Sequence, residues 1–210
     1  MKTRTDDPRP VTQPPISVSA AKESELINLF WHCRIATMLH DELPRSTVRN
    51  ATFVEAVRMA TYCHVGANGV QYASQDAIDA AGPAPKRKWT GKGLTKEHVV
   101  PVAVIAGFVR EALDQPFLID DSVLSGLDGA NYSQAVSALF REHPRAWQMA
   151  RVVRDWALMA WITGAENDRF SDKARHGGKT IRTCMPLGWT RDHCRFKRYT
   201  DCNIQLLPLT

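Results

Sequence analysis

The chain has 210 residues, 44% of them apolar and 23% charged, the proportions of a soluble globular protein with one substantial core. No apolar run approaches the roughly 20 residues that a membrane span requires, which argues against a membrane partner. The net charge of +5, from 27 Lys and Arg against 22 Asp and Glu, excludes a strongly acidic surface and is unevenly placed. Residues 1–83 are near balance, with 8 basic and 9 acidic side chains, and residues 97–168 are acidic, with 5 against 10. The excess lies in residues 84–96, with five Lys or Arg and no acid, and in residues 169–198, with nine basic side chains against Asp172 and Asp192.

In chain order, residues 1–19 hold four prolines and no apolar segment of the kind a secretion signal needs, so they are predicted to be a flexible arm ahead of a single globular domain over 20–210. A helix is predicted over 20–43, with Leu26, Leu29, Phe30, Cys33, Ile35 and Ala36 at helical spacing and Pro44 as its stop. A second covers 46–65, opened by a Ser or Thr cap and ended by Gly66. A shorter helix covers 74–81, after which Gly82, Pro83 and Pro85 open the basic loop. Leu94 to Val100 is predicted to be a strand, because a helix begun at Thr95 would place Pro101 in its interior. Pro101 then opens a helix to about Leu113, and 133–143 and 144–155 follow as helices. The apolar run 156–163 suits a buried strand or the end of the preceding helix. A capping box, Thr163 to Glu166, predicts a helix over 163–174, followed by basic loop and a last short strand within 202–209. The fold class is α+β, predominantly α-helical with a small β-sheet.

Five cysteines, an odd number in a chain large enough to fold without staples, favour a reducing compartment, the cytoplasm. Cys184, His193, Cys194 and Cys202 have no Cys-x-x-Cys spacing, which argues against structural zinc. Cys63 beside His64 reads as a small buried hydrophobe. Walker, Gly-x-Gly-x-x-Gly and Gly-x-Ser-x-Gly patterns are missing, so nucleotide hydrolysis, Rossmann cofactors and serine hydrolase chemistry have no local support.

The basic segments have the charge pattern of a surface that meets nucleic-acid phosphates, through Lys86, Arg87, Lys88, Lys92, Arg195, Lys197 and Arg198. A solvated basic face with no partner is the plain alternative. Trp31, Trp147, Trp156 and Trp161 lie in apolar surroundings and read as packing. Trp89 and Trp189 stand among Lys and Arg, where an exposed indole would stack on a base.

Between the basic segments stands Glu97-His98-Val99-Val100-Pro101. On a strand the carboxylate and the imidazole point to opposite sides. The string resembles the first half of an HNH, or His-Me finger, nuclease motif. That resemblance implies His98 as the general base on the attacking water and Glu97 as its catalytic neighbour. It also implies one divalent metal, Mg²⁺, held by Glu97 with Glu166, Asn167 and His176. Asn167 and His176 have the motif's eight intervening residues but follow His98 by 68 residues, which implies a helical insertion. Asn203, in "DCNIQLLP", is a rival second half. A wider arrangement, "EHVVP", "ITGAENDRFSDKA", "MPLGW", "RY" and "NI", is similar to small, mostly uncharacterised phage and bacterial proteins. It singles out Glu97, His98, Glu166 or Asp168, Arg198 and Tyr199.

The function expected is therefore a metal-dependent nuclease acting on DNA, with RNA second, in a phage, restriction or defence setting. Two alternatives stay open: a non-catalytic nucleic-acid-binding adaptor, and a protein-binding inhibitor or antitoxin-like module.

Overall fold

A computed structural model of the chain describes residues 19–44, 46–82, 89, 93–115, 127, 132–174 and 176–209. The arm up to residue 18, and the basic positions Lys86, Arg87, Lys88 and Lys92, lie outside the described residues.

The helices begin where small hydroxyl side chains satisfy their orphan amides. Ser19 opens α1 (Ala20–Asp41) by accepting from Lys22 N at 3.3 Å, and Ser46 opens α2 (Thr47–Asn68) by accepting from Arg49 N at 3.1 Å. Helix α2 runs through Gly66, the expected stop, and ends at Gly69 with φ 82°. A Cβ at Gly66 would lie 2.9 Å from Cδ of Glu25 on α1, the far end of a flexible side chain.

Helices α4 (Val102–Asp114), α5 (Gln134–Glu142) and α6 (Pro144–Trp156) pack with α1 and α2 around the largest core. Phe30 and Phe140 meet edge to face there, with ring centroids 5.3 Å apart, and Trp147 adds its ring 5.4 Å from Phe140. The ambiguous apolar run divides: Trp156 closes α6, and Met159–Thr163 is strand β3.

Strands β1 (Tyr72–Ser74), β2 (Leu94–His98), β3 and β4 (Leu206–Pro208) form one mixed sheet in the order β2-β3-β1-β4. Strand β3 is parallel to β1 and antiparallel to β2, so it is central and buried on both faces, which removes the alternation that would have marked it as a strand. Ala160 and Ile162 join a cluster with Phe170 and Tyr199, while Trp161 joins another with Trp89 and Leu94, as alternate strand residues should.

Short helices among the described residues include α3 (Gln75–Ala81), α7 (Gly164–Arg169) and α8 (Lys197–Asp201). Helix α7 stops earlier than the predicted 174. The carbonyl of Phe170 is taken by Ile181 N and Thr180 Oγ1, both at 2.9 Å, and the chain turns instead of continuing. Helix α8 lies in a segment that reads as loop. Among the described residues no helix is long and apolar enough to cross a membrane. The class is α+β and mostly helical, as the sequence predicts.

Trp147 is fully buried at the centre of the helical core. Trp147→Ala is expected to lower the unfolding free energy by about 3–5 kcal/mol, read from guanidinium denaturation followed by circular dichroism.

Candidate functional site

Strand β2 ends at His98, paired with Met159 of β3, and the chain turns through Val99 and Val100 into α4 behind Pro101. His98 is 7% exposed. Its Nε2 lies 2.9 Å from Thr61 Oγ1 on α2, and that hydroxyl also lies 2.7 Å from the Arg58 carbonyl. The hydroxyl has one proton. Given to the Arg58 carbonyl, it leaves Oγ1 to accept from His98, which assigns the imidazole proton to Nε2 and the lone pair to Nδ1. Burial first, then the charges of Arg198 and Arg58, hold the His98 pKa down at about 4. The ring is neutral at pH 7, with one nitrogen able to take a proton.

Glu97, the residue before His98, is held by Arg198. Its Oε1 accepts from Arg198 Nη2 at 2.6 Å. The same Nη2 donates to the His98 carbonyl at 2.7 Å, and Nη1 donates to the carbonyls of Ile181 at 3.2 Å and Arg182 at 3.0 Å. The guanidinium lies 4.3 Å over the Phe170 ring, and Tyr199 Oη donates to the His98 carbonyl at 3.4 Å. The "EH" and "RY" positions of the wider resemblance thus meet although about 100 residues separate them.

This overturns one expectation. Arg198 is fully buried and its two terminal nitrogens have acceptors within the chain, so it cannot hold a phosphate at the surface. Trp89 is a second correction: it is 5% exposed, with its ring 5.9 Å edge to face from Trp161. Trp189 stacks on Phe108 at 6.0 Å and donates Nε1–H to the Cys194 carbonyl at 3.0 Å. Of the other expected phosphate ligands, Arg195 donates to the Asp155 carbonyl at 2.6 Å and lies over Trp156, and Lys197 is paired with Asp201. Elsewhere in the basic stretch, Arg169 pairs with Asp76 and Arg191 with Glu111. Acids from distant parts of the chain neutralise much of what the sequence leaves as bare positive charge.

The residues expected to hold a divalent metal do not converge. Glu166 Oε2 accepts from Ser74 Oγ at 2.6 Å, Thr163 N at 2.8 Å and Thr163 Oγ1 at 3.0 Å, completing the capping box of α7. It follows Thr163, which pairs with Leu94, four strand positions or about 13 Å from His98. His176 sets Nε2 3.0 Å from the Arg169 carbonyl and 3.6 Å from Cys202 Sγ. Asn167 is buried with Oδ1 unbonded. Among the described residues no group of three or more His, Cys, Asp or Glu side chains could hold a metal ion. In this arrangement Glu97 is held by Arg198, Glu166 by Ser74 and Thr163, and His176 lies against the Arg169 carbonyl, so a divalent metal would have to displace those partners. Cys184 and Cys194 are exposed and Cys202 is buried, and no disulfide is present among the described residues.

A cleft of about 260 Å³ opens at the end of β2, lined by Glu97 and His98 and by Arg58, Tyr62, Arg182 and Pro101. Thr61, Arg58 and Tyr62 are the residues that sequence reasoning passes over. Their signal, polar side chains a turn apart on α2, is legible only once the face turned toward β2 is known. A larger cavity, about 570 Å³, lies among residues 176–187 away from the strand ends, with His176, Lys179 and Cys184 on its wall.

Two outcomes follow. Arg198→Ala strands the Glu97 carboxylate and three carbonyls, and is expected to cost about 3–5 kcal/mol in urea denaturation. His98 and His64 both have pKa values lowered by burial from 6.5 to about 4. The unfolded chain therefore takes up protons near pH 6.5, before the folded one does. Stability is full above that pH and falls as pH drops toward about 4, by up to about 1.4 kcal/mol per pH unit for each imidazole. Unfolding measured from pH 7 to 4.5 should show this decline, shallower in His98→Asn. No protein-family model, no curated protein and no solved structure matches the chain, so its function is argued from this geometry.

Proposed function

We propose that the chain is a nuclease of HNH type, hydrolysing phosphodiester bonds of DNA, with RNA the second candidate, and that His98 is its general base. One observation carries the reading. An imidazole held neutral, with its proton fixed on Nε2 by Thr61, lines a cleft that also holds the cations Arg58 and Arg182. Support comes also from the order of elements. Strand β2, its antiparallel neighbour β3 and the following helix α7 make a strand-strand-helix unit with His98 at the end of its first strand.

In this reading Nδ1 of His98 takes a proton from water as the water oxygen bonds to phosphorus. The bond from phosphorus to the leaving sugar oxygen breaks, and that oxygen takes a proton from solvent. Arg58 and Arg182 face the charge that develops on the phosphoryl oxygens. Glu97, neutralised by Arg198, adds little repulsion toward the phosphate. Five cysteines, an odd number in a chain large enough to fold without staples, suit a reducing, cytoplasmic setting, and a phage, restriction or defence role is part of the proposal.

The test is a gel assay of plasmid DNA, single-stranded DNA and RNA with Mg²⁺, Mn²⁺ or EDTA. Cleavage is expected, and His98→Ala should slow it by about 10²–10⁴-fold with its circular dichroism spectrum unchanged. Arg58→Ala should lower kcat and kcat/KM together. Binding of nucleic acid with a steep salt dependence and no cleavage under any condition would replace the nuclease by the adaptor reading.

A further inference from the structure

Helix α2 presents Val54, Arg58 and Tyr62 at successive i, i+4 positions, and all three line the His98 cleft. Tyr62 also lines a second cavity of about 360 Å³ on its other side, together with Lys96 and Gly66. The ring is thus a wall between two hollows. It is 45% exposed, and its centroid lies 5.3 Å from the His98 ring at an interplanar angle of 57°.

The charges around it have one sign in excess. Arg58 stands one turn before Tyr62 and Arg182 across the cleft, while Lys96 flanks the second cavity. The two acids nearby are engaged: Glu97 by Arg198, and Glu55 by Arg58 at 3.3 Å in an exposed pair that a phosphate can displace at little cost. A ring between cations is the arrangement that binds unpaired nucleotides, with the base on the ring and the phosphates on the cations. A base inside a duplex is stacked on its neighbours and has no face to offer.

We propose that Tyr62 is a base-stacking platform and that the preferred substrate is single-stranded nucleic acid, or an unpaired stretch of it. The base lies on Tyr62 and an adjoining phosphate lies against Arg58, in front of His98. The choice of substrate rests on the nuclease reading above; the stacking itself does not require cleavage.

The experiment is fluorescence anisotropy of labelled oligonucleotides in EDTA, with single-stranded DNA, single-stranded RNA of the same sequence, and the DNA duplex as separate arms. The wild-type chain is expected to bind a single strand more tightly than the duplex. Tyr62→Ala and Tyr62→Leu should each weaken single-strand binding about tenfold, leave duplex binding unchanged, and keep the wild-type circular dichroism spectrum. Tyr62→Phe should bind like wild type. Tighter binding in the DNA arm or in the RNA arm supports the platform equally and names the sugar.

Single-strand binding that is indifferent to Tyr62→Ala and Tyr62→Leu, or equal affinity for duplex and single strand, overturns the platform even if His98-dependent cleavage is found. Tyr62-dependent binding without cleavage upholds the platform and sinks the nuclease. No binding of any nucleic acid overturns both.

Discussion

A guanidinium taken out of water governs the region around His98. Burying Arg198 calls for acceptors for its terminal N–H groups, and they come from three places: the Glu97 side chain, the His98 carbonyl, and the carbonyls of Ile181 and Arg182, while Nε is buried without a hydrogen-bond partner. Aromatic rings of Phe170 and Tyr199 close over it. One side chain therefore joins the end of β2, the turn after α7 and helix α8, segments far apart in sequence. Because it binds the carbonyl of His98 itself, it fixes the backbone from which the imidazole reaches Thr61. Such an arrangement is a poor source of stability compared with apolar packing, but it tolerates few alternative geometries. That suits a place where one nitrogen must stay in a set position.

Much of the fold is legible from local chemistry. Ser19, Ser46, Ser74, Ser133 and Thr163 each cap the helix that follows. Pro101 stands at the boundary between strand and helix as its lost amide and restricted neighbour require. The failures are at helix ends. Gly66 reads as a helix end, yet α2 continues through it to Asn68 and stops at Gly69, whose φ of 82° favours glycine. Helix α7 has the spacing to reach Ala174 and is cut at Arg169 by hydrogen bonds to the Phe170 carbonyl from residues ten and eleven positions later.

The site was half legible. Glu97 and His98 stand out because an acid and an imidazole before an apolar pair and a proline have a chemical use. Arg198 and Trp89 were misread for one reason: a run of basic residues looks like surface, and nothing local tells which cation will be drawn inward by a carboxylate 101 positions away. Thr61 and Tyr62 carry no signal by themselves. Their meaning comes from the face of α2 that meets β2, which no window of sequence contains.

The helices between β2 and β3 have a kinetic consequence. His98 pairs with Met159, so this ladder closes a loop of 60 residues. Left as coil, that loop would oppose strand pairing, and hairpin contacts would be slow to form. Folded into α4, α5 and α6 against α1 and α2, it presents its two ends already close together. The helical core then acts as the turn of an oversized hairpin. Loosening of that helical core would lengthen the effective loop and oppose the pairing of β2 with β3 beside the imidazole.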